Sequence, residues 1–530
     1  MQPVDYLVLV LYFVVLLVIG GYANTRQKNV EDYYVGGRKI GTLSLIALWM
    51  SSWVGGASIM GSAQKSFEVG ISSLWYPLSM VCGFLFFGFT FAARIKELGD
   101  AHRHLTYPDL IEQRYDSKAR ILSTVTTILA YIGYIASQLL CSAHIITAIT
   151  GLSLGFSFVA ATAVTIIYTA IGGFFAVEKT DIFQVLLMLL GLTCVGAPMT
   201  WQALGGLSRF TTELPPSYFA IGSWGWGTIA AMFLGMVMTF FTSMDGYTRC
   251  YAADSPRSAR NGTLGAAAFA LIITCTICFL GISARVLFPE AEGTSALVQL
   301  VLHVFPAGVR GLLLVAILSA IMSTADSCIL CASANLTRDI YQRFVNPQAS
   351  PRRILRLSIL SSALVGVLGA LIGWYSADIM DLLLMTFTVN SAGLFIPTLG
   401  IFWWKWASPR AAWLSMGLSL VTVVGWYAGQ ALLPGNAVLA IDPLWPGLAV
   451  SAGVFFPLAL WDRRAADAPS SPHGGSRNTA RGGRKAPAGP KAEALRGSGR
   501  ASGSEDPMSC QTMGAGASTQ RFGSRTTAPR

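Results

Sequence analysis

Charged side chains are scarce in this sequence. They make up 12% of its 530 residues, which is about half the share found in a typical soluble protein. Hydrophobic side chains make up 53%. This balance excludes an ordinary soluble globular domain and indicates a protein whose surface largely faces lipid.

Residues that build metal centres and active sites are also sparse or poorly arranged. The five histidines show no metal-ligand spacing. Cys328 and Cys331 form a C-x-x-C pair inside an apolar run without a second pair, which favours close helix packing over metal or redox chemistry. No nucleophile, base and orienting group recur together in the apolar runs. We therefore expect neither an enzyme nor a resident metal centre.

Long apolar runs are what the sequence does have. Thirteen runs of about 20 residues, the length that crosses a bilayer, recur along it. They begin near Asp5, Leu43, Ser72, Arg120, Phe156, Ile182, Gly225, Leu264, Gly311, Ile354, Ile379, Ala411 and Pro443. Lipid cannot satisfy backbone hydrogen bonds, and the alternating ten-residue segments of a barrel are missing. The sequence therefore predicts an all-α membrane protein with about 13 transmembrane helices.

The distribution of positive charge predicts the orientation of these helices. Lys and Arg are concentrated in the loops after odd-numbered runs, and the positive-inside rule makes those loops cytoplasmic. The first run lacks a basic leader and a small-residue cleavage site, so we expect a retained helix and not a signal peptide. We expect a multi-pass protein of the bacterial inner (plasma) membrane, with its N-terminus outside and its C-terminus in the cytoplasm.

The C-terminal segment differs in composition from the rest. Residues 463–530 are rich in Gly, Ser, Ala, Pro and Arg and nearly free of large apolar side chains, so they cannot bury enough surface to fold. We expect residues 1–462 to form a transmembrane domain and residues 463–530 a disordered, basic cytoplasmic tail. The net charge of +11 lies largely in this tail and in the cytoplasmic loops. Its expected partner is anionic membrane lipid and not nucleic acid.

Two of the apolar runs have polar, glycine-containing centres. The second run contains Trp53, Gly55 and Gly56, and the seventh contains Asp245 followed by Gly246. Irregular backbone inside a membrane is tolerated where it lines a cavity, so such breaks indicate binding sites. Close packing of helices is the alternative explanation for the glycines. The two breaks are five helices apart, which suits an inverted repeat of spans two to six and seven to eleven.

The ninth run has a face of small, weakly polar residues. Ser323 and Thr324 lie on that face, which follows a helical repeat. Their adjacent hydroxyls would suit hydrogen bonding between helices, or a hard monovalent cation that also contacts carbonyls of a broken neighbour. Asp326 lies in the same run, where a buried carboxylate marks a transport pathway. Asp181 opens the sixth run, where it would also serve as a helix cap.

Three motifs carry a family resemblance. They are Asp-Tyr-Tyr-Val-Gly-Gly-Arg at 32–38, the segment 168–184 that begins Tyr-Thr-Ala-Ile-Gly-Gly-Phe-Phe, and Ala-Ile-Met-Ser-Thr-Ala-Asp-Ser at 320–327, followed by 335–341. These motifs resemble the sodium:solute symporter family, which includes bacterial proline and sialic acid symporters, sodium/glucose transporters and choline transporters. The resemblance extends over about residues 5–461.

The resemblance implies both a fold and a mechanism. The implied fold is a LeuT-like five-plus-five inverted repeat with one extra N-terminal helix and two extra C-terminal helices. The implied activity is secondary active transport, in which sodium and a small organic solute enter the cell together by alternating access. A transporter-like sensor or an ion channel is the alternative of another class. The segment after Trp461 contains no catalytic or dimerisation region, which disfavours the sensor.

The resemblance also implies a sodium site between the ninth span and the broken second span. Its ligands would be carbonyl or hydroxyl oxygens of Ala47, Met50, Ala320, Ser323 and Thr324. A second sodium ion, or the exit route of the first, would involve Asp181, Asp326 and Ser327. Arg38 would belong to a cytoplasmic gate.

The expected substrate site lies near the two breaks, at Trp53, Gly55, Gly56 and Asp245. The stretch from Trp53 to Gly56 resembles the second span of choline transporters, where the tryptophan forms part of an aromatic cage. An aromatic face attracts an ammonium group, and Asp245 would supply a counter-charge. We therefore expect a cationic or zwitterionic amine or an amino acid as substrate. A sugar or an organic acid transported in the same way is the alternative.

Overall fold

The structure of the protein, a computed structural model, describes residues 1–24, 30–376, 379–433 and 435–467. Within these ranges the chain is built from helices and forms no strand. The last helix ends at Asp467 and so extends beyond residue 462, after which the tail was predicted to begin. The rest of the predicted tail, residues 468–530, lies outside the described residues.

Twenty α-helices form the described part of the chain, joined in places by short 3₁₀ or π turns. In chain order they are α1 (Pro3–Asn24), α2 (Val30–Val35), α3 (Thr42–Trp53), α4 (Ser62–Val69), α5 (Trp75–Thr90), α6 (Ala92–His102), α7 (Tyr107–Arg114), α8 (Ser117–Thr150), α9 (Leu154–Met188), α10 (Ala197–Leu204), α11 (Ser208–Glu213), α12 (Trp226–Thr242), α13 (Met244–Ala252), α14 (Pro256–Leu287), α15 (Gly293–Val304), α16 (Val309–Ala334), α17 (Pro351–Tyr375), α18 (Ile379–Trp403), α19 (Pro409–Leu432) and α20 (Leu444–Asp467).

Ten helical segments of the described chain are long and apolar enough to cross a membrane, or eleven when α12 and α13, which meet at a bend of 42°, count as one span. The predicted number of 13 is not confirmed. The second and fifth predicted runs appear as the shorter apolar helices Thr42–Trp53 and Leu154–Ala170. The second run stops at a break after Trp53, and the fifth is followed within α9 by Gly173, whose positive φ of 56° interrupts helical geometry.

Short polar side chains set the starts of several long helices. Asp116 accepts a hydrogen bond from a backbone N–H in the first turn of α8, and Ser153 and Ser255 do the same for α9 and α14. Ser350 and Ser408 cap α17 and α19 in this way. Each cap satisfies one of the N–H groups that a helix start leaves unpaired. The apolar runs therefore become helices with defined first residues.

Helix α16 lies at the centre of the bundle. In the span that contains it, 94% of the most apolar stretch is buried, against 28% in the spans of α1 and α20. It packs against α1, α3, α8, α9 and α17. Large apolar side chains on the outer helices, such as Leu7 and Val421, are exposed and suited to contact with lipid. The small-residue face of α16 therefore lies inside the protein, next to the break that ends α3.

Candidate functional site

The first break in the bundle follows α3. Val54 leaves helical geometry at φ −95° and ψ 67°, and the chain resumes as a π turn at Ala57–Gly61 before α4. The backbone N–H of Gly56 donates to Oε1 of Gln138 on α8 at 2.7 Å. A group freed by the break is thus satisfied by a side chain, as irregular backbone at membrane depth requires.

The two glycines at this break allow close packing. A Cβ added at Gly55 would lie 2.8 Å from Cβ of Thr324 and 3.0 Å from Oε1 of Gln138, and one at Gly56 would lie 2.9 Å from Cys141. Gly56 itself keeps helical dihedrals (φ −58°, ψ −45°). The glycines therefore bring the break against α8 and α16, and the packing explanation left open by the sequence applies to both of them.

Four oxygen atoms converge where α3 ends against α16. The hydroxyl of Thr324 donates to the carbonyl of Ser51 at 2.7 Å and to that of Ala320 at 3.2 Å. The hydroxyl of Ser323 donates to the same two carbonyls at 3.2 and 2.9 Å. All four residues are buried. A set of neutral oxygens drawn from two helices is the type of ligand set that a hard cation prefers.

This four-oxygen cluster includes Ser51, which the sequence did not single out. Ala47 and Met50, which the sequence did single out, accept no hydrogen bond from its two hydroxyls in the described structure. Ser51 is in the last turn of α3, where carbonyls have no helical N–H partner beyond the break. The Met50 carbonyl instead accepts a hydrogen bond from the Val54 N–H at 2.8 Å. Among the described residues, Ser323 and Thr324 donate to Ser51 and not to Ala47 or Met50. A backbone carbonyl carries no residue-type signal, so only the position of the helix end could have indicated Ser51.

A second break separates α12 from α13 at Ser243, and a cavity lies beside it. The cavity is lined by residues from α3, α8, α12, α13 and α18, among them Trp53, Ala130, Tyr131, Tyr134, Thr239, Ser243, Asp245, Thr386, Phe387 and Asn390. The indole of Trp53 stacks on Phe240 with ring centroids 3.6 Å apart. Trp53 and Asp245, both predicted from the sequence, therefore lie at one cavity, whereas Gly55 and Gly56 are absent from its lining.

Polar atoms at this cavity have spare hydrogen-bonding capacity. Asp245 accepts a hydrogen bond from the hydroxyl of Tyr131, which in turn accepts one from the Asp245 backbone N–H at 3.0 Å. Within the described chain, Nε1 of Trp53, Oγ of Ser243 and Oδ1 of Asn390 are buried without a partner. Buried polar atoms are normally satisfied. One donor, one acceptor and one hydroxyl beside an aromatic face are suited to hold a small polar solute.

Comparison with known proteins decides the family. The model of the sodium:solute symporter family matches residues 33–417. This chain belongs to the sodium:solute symporter family. It is accordingly a multi-pass transporter that couples movement of a solute to sodium, and not an enzyme.

Named relatives agree with this assignment, and two solved structures share the fold. The sodium/proline symporter of Haemophilus influenzae is 27% identical over 455 residues, which cover 78% of this chain and 86% of that protein. The sodium/proline symporter of Salmonella typhimurium is 28% identical over 462 residues, covering 80% and 89%. A sodium-coupled sialic acid symporter in a substrate-bound outward-open state has the same fold, with a TM-score of 0.73 at 20% identity over 87% of this chain and 98% of that one. Mhp1, a nucleobase-cation-symport-1 family transporter, gives a TM-score of 0.53 at 15% identity, covering 82% and 95%.

The two carboxylates that were expected near a second ion accept hydrogen bonds from different hydroxyls. Asp181 accepts a hydrogen bond from the hydroxyl of Ser51 at 2.5 Å. It therefore lies next to Ser51, whose carbonyl belongs to the four-oxygen cluster. Asp326 accepts hydrogen bonds from the hydroxyls of Tyr168 and Thr169 on α9. Both carboxylates are fully buried. They are bound to different hydroxyls and share no hydrogen-bond donor in the described structure.

Ser327, the third residue expected near a second ion, is bound to a cationic side chain. Its hydroxyl accepts a hydrogen bond from Nη2 of Arg249 at 2.6 Å and another from the hydroxyl of Ser52 at 3.2 Å. The sequence did not indicate Arg249, because nothing in its local pattern shows that its side chain crosses from α13 to α16.

Arg38 ties together the chain segments at one end of the bundle. Its backbone has a positive φ of 60°, which is unusual for a residue other than glycine. Its guanidinium pairs with Glu31 at 2.5 Å and donates to the carbonyls of His104 at 2.6 Å and Gly99 at 3.3 Å. The side chain is 8% exposed. Arg38 therefore joins the segment between α2 and α3 to the end of α6.

A second guanidinium at this end is surrounded by three carboxylates. Arg120 pairs with Asp109 at 2.7 Å, with Glu112 at 2.5 Å and with Asp339 beyond the end of α16. Burial alone would raise the pKa of Glu112, but hydrogen bonds from Ser117, Arg120 and Arg343 lower that pKa to about 2. This ion-pair network links α7, α8 and the π turn after α16, and no local pattern in the sequence indicates it.

Proposed function

We propose that the symporter carries sodium into the cell together with a cationic or zwitterionic amine or an amino acid. The observation that carries the sodium site is the convergence of the Ser323 and Thr324 hydroxyls on the carbonyls of Ser51 and Ala320. In the proposed bound state the hydroxyls rotate and present oxygen lone pairs to the ion. The ion then bridges the end of α3 and α16, with Ala47 and Met50 in the adjoining turn of α3.

The cavity beside the second break supports the proposed class of substrate. An ammonium group would lie against the face of Trp53 and close to the carboxylate of Asp245, which are the partners that such a group prefers. A substrate carboxylate could accept a hydrogen bond from Nε1 of Trp53, which has no partner in the described chain. The names of the sodium/proline symporters that this chain resembles support an amino acid.

The proposed mechanism is alternating access within a LeuT-like five-plus-five inverted repeat. Sodium binding from outside draws α3 onto α16 and thereby fixes Trp53, which follows Ser51 by two residues. Solute binding then closes the cavity, and opening of the end that carries Arg38 and Arg120 releases both to the cytoplasm. One net charge that crosses the membrane inward gains about 2.3 kcal/mol per 100 mV, before any concentration gradient is counted.

The proposal is tested by a thermal-shift screen of the purified symporter. L-proline, choline, glucose and acetate are each added with sodium and with potassium as the only cation. We expect an amine or amino acid to raise the Tm in sodium and not in potassium, because a ligand stabilises the state that it binds. Stabilisation by glucose or acetate instead would contradict the proposed substrate class.

The same preparation separates a symporter from a channel. In proteoliposomes, the solute found in the screen should accumulate when an inward sodium gradient is imposed. Asp245→Asn should weaken solute accumulation while leaving unchanged the rise in Tm that sodium alone produces. Sodium conductance in the absence of any organic solute would contradict coupled transport and favour the channel.

A further inference from the structure

Asn390 on α18 has an unused hydrogen-bond acceptor at the cavity beside the second break. The residue is 2% exposed, and its Oδ1 has no partner within the described part of the chain. It lines that cavity together with Trp53 and Asp245. A buried carbonyl oxygen that stays unpaired costs free energy. Asn390 is therefore suited to accept a hydrogen bond from a bound solute.

Thr242, the last residue of α12, sets the orientation of this amide. The hydroxyl of Thr242 donates to the carbonyl of Thr239 at 3.3 Å and to that of Met238 at 3.4 Å. Its lone pairs therefore accept, and Nδ2 of Asn390 donates to it at 2.8 Å. The NH₂ group of the amide is thereby engaged, which leaves Oδ1 as the atom that can accept from a solute.

Asp245 supplies a second acceptor at the same break. Its carboxylate accepts a hydrogen bond from the hydroxyl of Tyr131, which uses one of the roughly four lone-pair positions of a carboxylate. Asp245 lies just after the break in the chain, and Asn390 is tied to Thr242 just before it. A neutral and a charged acceptor thus lie at one cavity.

The aromatic side chains of the cavity do not distinguish one ammonium group from another. Trp53, Tyr131, Tyr134 and Phe387 line it, and an aromatic face attracts a cation whether its nitrogen carries hydrogens or methyl groups. A carbonyl oxygen does distinguish them, because it needs an N–H donor. A quaternary nitrogen has no N–H and would leave Oδ1 of Asn390 buried and unpaired.

We propose that Asn390 is a specificity-determining residue, which selects a solute whose ammonium group carries at least two N–H bonds and disfavours a quaternary one. One N–H donates to the carboxylate of Asp245 and another to Oδ1 of Asn390. Primary and secondary amines and amino acids meet this condition, whereas choline and betaines do not. The inference rests on the proposed amine or amino-acid substrate and narrows it.

The test compares solutes that differ only in N-methylation. Isothermal titration calorimetry in sodium gives the Kd of each for the purified full-length symporter. One series is L-proline, N-methyl-L-proline and N,N-dimethyl-L-proline, and the other is ethanolamine, N,N-dimethylethanolamine and choline. In the series that binds, we expect the Kd to rise roughly 10-fold when one N–H remains and roughly 100-fold when none remains.

Three variants separate the acceptor from the shape of the cavity. Asn390→Leu keeps a similar shape without the oxygen, so the preference for the unmethylated solute over the quaternary one should fall about 10-fold. Asn390→Asp keeps an acceptor oxygen and should retain the preference. Thr386→Val is the matched control, because the Thr386 hydroxyl at the same cavity donates to the Leu382 carbonyl at 2.9 Å. It should show the wild-type ratio of Kd values.

Two results would overturn this inference and leave the proposed substrate class in place. The first is a quaternary solute that binds the wild type as tightly as its unmethylated counterpart, a measurement that needs no variant. The second is a wild-type preference that persists in folded Asn390→Leu, because the preference would then not depend on the oxygen. Binding by no member of either series would instead contradict the proposed substrate class, so the two failures are distinguishable.

Discussion

Two buried polar regions of the symporter are built in opposite ways. The four-oxygen cluster of Ser51, Ala320, Ser323 and Thr324 contains only neutral hydroxyl and carbonyl oxygens. The network around Arg120 brings a guanidinium together with three carboxylates. Neutral oxygens can solvate a mobile cation, whereas the second region already contains its own positive charge. The first arrangement suits exchange of an ion, and the second suits a contact that holds helices together.

The Arg120 network gives the largest expected effect. Arg120→Met keeps an apolar stem but leaves Asp109, Glu112 and Asp339 without their shared cation. Removing one partner of a buried ion pair costs about 3–5 kcal/mol, so the Tm in detergent should fall markedly while the sodium affinity of the remaining folded protein stays close to that of the wild type.

The control for this variant is Arg209→Met, since Arg209 forms an exposed ion pair with Glu213. Loss of such a surface pair is expected to cost only about 0–1 kcal/mol. Equal loss of stability in the two variants would mean that the buried Arg120 network stabilises the fold no more than an exposed ion pair does.

Ser323→Ala tests the neutral region. It removes one hydroxyl from the proposed ion, a charge-assisted contact worth about 1.5–3 kcal/mol. The sodium concentration for half-maximal uptake should therefore rise roughly 10- to 100-fold, with little change of Tm in the absence of sodium.

Ser333→Ala is the matched control, because Ser333 is a buried serine of the same helix whose hydroxyl donates to the Leu330 carbonyl. It should leave the sodium dependence of uptake close to that of the wild type. Sodium dependence that stays the same in Ser323→Ala as in the wild type would show that the Ser323 hydroxyl has no part in coupling.

Gly55→Ala tests the close approach that forms the cluster. The added Cβ would lie 2.8 Å from Cβ of Thr324, and overpacking of this kind costs about 1–3 kcal/mol. We expect a lower Tm together with weaker sodium binding, because the end of α3 is pushed away from α16. Gly227→Ala in α12, where an added Cβ meets nothing within 4 Å, should change neither quantity. Normal sodium binding by Gly55→Ala would show that the sodium site does not depend on the close approach of α3 to α16.

Glu112→Gln should have an effect that depends on pH. The pKa of Glu112 is lowered from 4.5 to about 2 in the folded protein. A carboxyl with a depressed folded pKa stabilises the protein above its unfolded pKa, and this contribution is lost as the pH falls toward the folded pKa. The difference in Tm between wild type and Glu112→Gln should thus be constant above about pH 5 and shrink below it. A difference that does not change between pH 7 and pH 3 would contradict the role given to Glu112.

Much of the fold followed from composition and apolar periodicity. A helical membrane protein and the break at Trp53 to Gly56 were predictable, because lipid restricts the chain to helices and small residues mark places where helices meet. The number of spans was not, since it depends on how Gly173 interrupts α9 and on how much of the second run remains helical.

The candidate site was predictable only where side chains define it. Ser323, Thr324 and the family membership were indicated by motifs, and the membership is confirmed by the family match. Ser51 was missed because it contributes a carbonyl, and Arg249 and Arg120 were missed because their partners are on helices distant in sequence. Long side chains that reach between helices leave no local pattern.

The most direct test of the sodium site is a high-resolution structure of the symporter prepared in sodium and compared with one prepared in potassium. We expect a bound cation in the sodium structure that contacts the carbonyls of Ser51 and Ala320 and the hydroxyls of Ser323 and Thr324. In potassium, both hydroxyls should donate to those carbonyls instead. A sodium ion bound elsewhere, with the hydroxyls of Ser323 and Thr324 still directed to Ser51, would contradict it.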